Sequence, residues 1–289
     1  MTVEFGIFPV PNAAEADELI ERVIAAEQAG LDLVGIQDHP YQRRFLDTWS
    51  LIPFLAARTT RIRFFPDVAN LPLRQPAVMA KAAATIDLLS GGRFELGLGA
   101  GAFWEGIGAM GGPQPTPKES VDALEEAIQV IRLMWSGERT IEFEGEHYSV
   151  KGLHPGPQPA HDIGIWLGAY GPRMMRVVGR LADGWIPSLP RLPLEEVPAK
   201  WQAIDEAAEK AGRAPGEIRR IANVGGTITD GGATNGWLDG PPEHWVEELT
   251  RLVIEFGFDG FILSVGDDAA EQIARLGAEV APAVRAASA

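Results

Sequence analysis

Short runs of β-branched and aromatic residues alternate along the chain with longer segments whose apolar positions return every three or four residues. That is how parallel β/α units read: a strand buried on both faces is a short apolar run, and its covering helix shows a 3.6-residue period. Eight strand candidates result, at 3–8, 32–37, 61–69, 93–99, 163–168, 184–187, 219–228 and 260–264, the sixth being short, and each has a helix candidate behind it. The clearest helix lies between 116 and 135. There Thr116-x-x-Glu119 makes a capping box, Pro117 suits the first helical position, and Leu124, Ala127, Ile128, Ile131, Met134 and Trp135 form one apolar face. Trp245, Leu249, Leu252, Val253 and Phe256 repeat the pattern, as do Ala270, Ile273, Ala274 and Val280 near the end. The stretch 142–148 predicts a β-hairpin with Gly145 in its turn, inserted between the fourth helix and the fifth strand. Eight units without a Pro- or Ser-rich linker favour a closed (β/α)8 TIM barrel over an open doubly wound sheet, with 1–289 as one domain.

Composition narrows the functions. The 289 residues are close to the ~250 of one such barrel. A formal charge of −15, with no clustered basic stripe, excludes nucleic acid as an expected partner. The absence of cysteine removes disulfides, thiolate nucleophiles and thiolate-bound metals. No basic and apolar leader opens the chain and no run of ~18 apolar residues follows, so the expectation is a soluble cytoplasmic protein with no membrane contact.

In a barrel, chemistry sits where strands end and βα-loops begin. The second strand ends in Asp38-His39, an acid beside an imidazole that can exchange protons near neutrality, or a turn cap with a packed neighbour. The third runs into 67–76, too rich in proline to remain in a ladder, where Asn70 could hydrogen-bond a heteroaromatic ring and Arg74 an anion, or both could stabilise the loop. At 87–93, Asp87, Ser90, Gly91 and Gly92 suit a left-handed helix cap at the barrel bottom. Gly97-x-Gly99-x-Gly101 lacks the third glycine of a dinucleotide fingerprint; its glycines suit a flat ring approaching the backbone, and Trp104 beyond them lines a pocket or fills the loop. Gly168-Ala169-Tyr170-Gly171-Pro172-Arg173 opens a helix after the fifth strand, where free N–H groups, glycines and a cation offer a phosphate cradle, the alternative being a plain Gly-Pro helix start. Metal chemistry has little support, because the five histidines form no ligand pair and His147, His154 and His161 fall in the hairpin or Pro-rich loops. Neither a Gly-x-Ser-x-Gly elbow nor a Walker loop is present.

Taken together, 30–39, 71–81, 87–101, 165–173 and 182–185 resemble the luciferase-like oxidoreductase superfamily, and most the branch that uses the deazaflavin coenzyme F420. The resemblance covers almost the whole chain and implies a ring lying over the strand ends. His39 would stand near its hydride-carrying face with Asp38 orienting it. A non-prolyl cis peptide would fall among Asp67, Val68, Ala69 and Asn70 behind the ring, near Gly99 and Gly101, and the phosphate would rest on Gly168, Ala169, Tyr170, Gly171 and Arg173. The implied activity is hydride transfer between F420 and a small organic substrate facing Trp104. The alternative is a two-component FMN-dependent monooxygenase, and a further one a non-catalytic flavin-binding protein. A homodimer, and a flavin or F420 reductase or dehydrogenase supplying reduced cofactor, are implied with it. One departure matters: sugar-phosphate dehydrogenases of this branch carry Glu directly after the Gly-rich stretch, where this chain has Ala102, which argues against oxidation of the glucose 6-phosphate type.

Overall fold

In the computed structural model, which describes residues 2–232, 234, 236–264, 266 and 268–288, the strand candidates become a closed parallel barrel. Its strands are Glu4–Phe8, Leu33–Ile36, Arg63–Pro66 resumed as Ala69–Asn70, Leu96–Gly99, Ile165–Leu167, Gly184–Trp185, Arg219–Gly225 and Gly260–Ser264. The break in the third strand explains how the ring closes. Its first half pairs with the second strand (Ile36 with Pro66) and its second half with the fourth (Asn70 with Gly99), so one strand serves two neighbours with two separate pieces. The Asp67–Val68 peptide between the halves is cis, inside the expected window.

Two apolar bodies hold the barrel. The larger lies between strands and helices. Leu124, Ala127, Ile128, Ile131 and Met134 of Pro117–Trp135 are buried, and that helix begins with the anticipated Thr116–Glu119 capping box. The smaller fills the lumen with Leu33, Phe65, Trp166, Ile186, Ile221 and Ile262, with Phe8 and Val68 packed on it. Such a plug makes the lumen a core, so that space for a ligand inside the ring of strands is left only at its ends.

Three local expectations are corrected. The run 219–228 is not one strand, because Thr227–Ile228 leaves the barrel to pair with Asp239–Gly240. Ala270 and Ala274 face solvent; the helix Ala269–Arg275 buries Ala269, Gln272 and Ile273 and continues into a π-helical turn, Leu276–Val280, whose wider winding brings Leu276 and Val280 inward. The hairpin is wider than 142–148, with strands Ile141–Glu144 and Ser149–Leu153 and Gly145 at the turn. At the barrel bottom Gly91 takes the left-handed cap (φ 72°), and buried Asp87 accepts hydrogen bonds from the backbone N–H groups of Ala160 and His161 at 2.7 and 3.2 Å.

Candidate active site

The strand ends surround two adjoining chambers. One, of about 420 Å³, is lined by Asp38, His39, Val68, Ala69, Asn70, Gly99, Gly101, Trp104, Gly168, Ala169, Tyr170 and Gly171 among others, so the structure brings together the sequence-nominated site residues except Asp67, Arg74 and Arg173. The other, of about 560 Å³, is lined by Asp67, Gln37, Phe8, Ile186, Arg191 and Asn223 among others. His39, Val68, Ala102, Gly168 and Tyr170 border both.

Asp38 is buried and fully engaged. Its carboxylate accepts from the Arg74 Nη2 at 3.2 Å and Nε at 3.3 Å, the Asn70 backbone N–H at 3.0 Å and the Trp49 indole at 3.3 Å. Arg74 also reaches Asp47 at 2.8 Å. Of the two readings of Arg74, the loop-stabilising one describes its observed partners, since both carboxylates are protein groups. Asp38 therefore ties the second strand end to the third-strand loop, and the imidazole beside it has a different partner. His39 Nδ1 lies 2.6 Å from the Tyr41 hydroxyl, and Phe103 stands edge-on to the imidazole with centroids 5.4 Å apart. Burial lowers the His39 pKa below its ordinary value; Arg191 adds to this and Asp38 opposes it. Gly106 makes room for Tyr41, whose ring would lie 2.8 Å from a Cβ placed there.

Val68 forms the common wall. A Cβ on Gly99 would approach Val68 to 2.7 Å, and one on Gly168 to 3.2 Å, so these glycines let the branched side chain lie close against the neighbouring strand ends as a wall of the chamber. Gly101 does the same for Trp104, whose ring carbons would lie 2.9 Å or less from a Cβ. Trp104 starts the short helix Trp104–Ala109 and faces the smaller chamber. Gly171 is the N-cap of Pro172–Leu181, leaving that helix start open toward the same chamber, whereas the Arg173 guanidinium is turned away and paired with Asp122 and, at 3.0 Å, Glu125.

Three buried polar atoms around the chambers have no hydrogen-bond partner among the described residues: Asp67 Oδ2, Asn70 Oδ1 and Asn223 Oδ1. Burial pushes the Asp67 carboxyl up to about 7, partly offset by the Asn223 side chain. Tyr41, Arg191 and Asn223, and the Asp67 side chain as distinct from its backbone, were not singled out in the sequence. Tyr41 adjoins the Asp-His pair and was discoverable there, but Asn223 reaches the chamber only through barrel closure. Among the described residues, no group of His, Asp and Glu is placed to hold a metal ion.

A closed parallel barrel whose strand-end chambers, one of them glycine-lined, join at a histidine defines the class of (β/α)8 barrel enzymes. Residues 2–231 match the family model described as luciferase-like monooxygenase, and the chain belongs to that family. It is 32% identical over 228 residues to the F420-dependent glucose-6-phosphate dehydrogenase of Nakamurella multipartita, covering 77% of this chain and 67% of that one. Matches of this kind span about two thirds of the length of those relatives. Among solved structures it resembles the coenzyme F420-dependent tetrahydromethanopterin reductase of Methanopyrus kandleri (TM-score 0.84, 22% identity, 98% of this chain and 99% of that one). It also resembles the oxygenating constituent of 3,6-diketocamphane monooxygenase of Pseudomonas putida in complex with FMN (TM-score 0.80, 19% identity, 98% and 99%). At these identities the structural likenesses speak for the barrel alone.

Proposed function

We propose that the whole chain acts as one barrel enzyme that transfers a hydride between coenzyme F420 and a small organic substrate. The observation that carries the reading is the junction at His39: one imidazole borders both a glycine-lined chamber and a second, partly polar one. The relatives that match over most of the chain are F420-dependent dehydrogenases by name, which supports the choice of cofactor.

The residues fit such a group. Gly99 and Gly168 let Val68 pack back against the strand ends, leaving the chamber in front of it to a flat ring; Asn70 Oδ1 offers an unused acceptor, and the helix start at Gly171 presents backbone N–H groups to an anionic tail. When bound, the deazaflavin supplies a two-electron hydride carrier. The protein orients and excludes water: Val68 backs the chamber, Trp104 closes one side, and Phe103 shields the imidazole. His39, neutral at pH 7 and fixed through Nδ1 by Tyr41, exchanges a proton with the substrate oxygen or stabilises charge there. Ala102 at the shared border leaves no carboxylate where the sugar-phosphate enzymes carry one, so the substrate differs from glucose 6-phosphate.

A homodimer accompanies this reading. Helices Thr48–Ala56 and Pro76–Ser90 expose Phe54, Val78 and Leu89, the last two on one face because 11 residues complete about three turns. Light scattering on the wild type and on Leu89→Glu tests it: a dimer reduced to a monomer supports this face, and a monomeric wild type rejects the dimer. The cytoplasmic location and a reductase or dehydrogenase supplying reduced cofactor follow the same reading of the sequence.

The cofactor is tested by parallel titration of the protein with F420 and FMN, followed by fluorescence. Tighter saturable F420 binding supports hydride transfer. Preferential FMN binding, with oxygen uptake on turnover, replaces it with the monooxygenase reading, and cofactor binding without turnover across a substrate panel leaves a binding protein.

A further inference from the structure

Asp67 and Asn223 project from the third and seventh strands toward each other above the lumen plug. Asp67 is 9% exposed, and its carboxyl occupies space left by Gly35, where a Cβ would come within 2.9 Å of Oδ2. Beneath it lies apolar packing: a Cβ on Gly35 would also meet the Phe65 ring at 2.8 Å. No cation pairs with Asp67 among the described residues, and its Oδ2 and Asn223 Oδ1 are both unpartnered. A buried carboxyl compensated only by one amide on one side, with its Oδ2 unpartnered, is costly, and a fold retains such a group most readily where something else completes its hydrogen bonds.

The course of a cofactor follows from where the chambers join. A tail at the helix start by Gly171 would lie in the smaller chamber, Val68 borders both chambers, and Asp67, the residue directly before it, lines the larger one. A ring lying on Val68 and reaching past it would have one edge in the larger chamber, which Asp67 and Asn223 both line. One edge of a deazaflavin bears alternating carbonyl and N–H groups. A carboxylate can only accept from such an edge, whereas a carboxylic acid can donate to a carbonyl, and the Asn223 amide can do either.

We propose that Asp67, in its acid form, donates a hydrogen bond to a carbonyl of the F420 ring, with Asn223 pairing beside it, so that the two form a ring-edge subsite at the chamber floor. The proposal rests on the F420 reading above. Burial of the Asp67 carboxyl, which holds its pKa at about 7, keeps the acid form populated at neutral pH. The other titratable and charged groups facing this space are His39, Tyr170 and Arg191 of the chamber wall, with Asp38 beyond Asn70 already committed to Arg74.

Fluorescence titration of the full-length protein with F420 at pH 6 and pH 8 tests this. The wild type should bind roughly three- to tenfold more weakly at pH 8, as the acid form is lost through a pKa near 7. Asp67→Asn, which keeps a donor that does not ionise, should lose most of that difference; Asp67→Ser serves the same purpose if the amide variant fails to fold. Ionisation of F420 itself and of His39 is common to all three proteins and cancels in the comparison. An equal pH dependence in wild type and variants overturns the proposal while leaving the cofactor reading intact. Failure of the wild type to bind F420 at either pH overturns both.

Discussion

His39 and Tyr41 face each other at the end of the second strand, Nδ1 to hydroxyl 2.6 Å and ring centroids 5.5 Å apart. The contact fixes one imidazole nitrogen and leaves Nε2 to whatever occupies the chambers. It also separates two roles that the adjacent Asp38 and His39 seemed to share, since Asp38 spends its hydrogen bonds on Trp49, Asn70 and Arg74.

His39→Ala should lower kcat by roughly 10²- to 10⁴-fold, the usual worth of a positioned proton-transfer group. Burial depresses the His39 pKa, so the neutral form prevails at pH 7 and the acid limb of the rate profile should fall below pH 6.5. Tyr41→Phe should shift that limb with a smaller loss of rate. Full turnover by His39→Ala in steady-state assays would remove the imidazole from the chemistry.

Asp67 should leave a mark on stability. Its folded pKa, about 7, exceeds the ordinary carboxylate value, so between about pH 4 and 7 the folded protein binds more protons than the unfolded chain. Stability therefore falls as pH rises through that window, by roughly 4 kcal/mol at most, and levels off above it. Denaturant unfolding at pH 5 and pH 8 should show this trend, diminished in Asp67→Asn; the same pH dependence in the variant would assign the effect elsewhere.

Gly99→Ala and Gly168→Ala should weaken cofactor binding, by about tenfold or more at Gly99, where the added carbon would meet Val68 at 2.7 Å, and less at Gly168, where the distance is 3.2 Å. Titration together with circular dichroism distinguishes a filled chamber from a damaged barrel. Unchanged affinity in both variants would place the ring away from Val68.

At the opposite end of the barrel, Asp87→Ala should cost roughly 2–4 kcal/mol, because the backbone N–H groups of Ala160 and His161 lose their acceptor in a buried site. His161 has a raised pKa through its contact with Glu95 and the nearby Asp87. Its contribution is complete below pH 6.5 and is lost as pH rises through the higher folded value. Urea denaturation across pH 5.5–8 in the wild type and His161→Gln checks the sign.

The barrel was legible because each strand and its helix carry their own periodicity, and because a capping box such as Thr116–Glu119 is local. The smaller chamber was legible for a related reason: His39, Val68, Gly99 and Gly168 all occupy strand ends, which closure brings to one mouth. Arg173 shows the limit. Its place beside a helix start suggested a free cation, but Asp122 and Glu125 on another helix hold it, and their proximity depends on helix packing. Asn223 lay within a recognised strand, yet nothing in a period of two distinguishes an inward polar residue above the plug from one serving the ladder.

The hairpin Ile141–Leu153 hangs on the helix before it: Glu126 accepts from the backbone N–H groups of Glu146, His147 and Tyr148 at 2.8, 2.9 and 2.9 Å. This clasp grips the helix whose opening turns, at Pro117, Ser120 and Val121, line the smaller chamber. The hairpin is thus a module with its own fastening, and descendants of this chain can lengthen or trim its strands as long as Glu126 keeps hold of the turn.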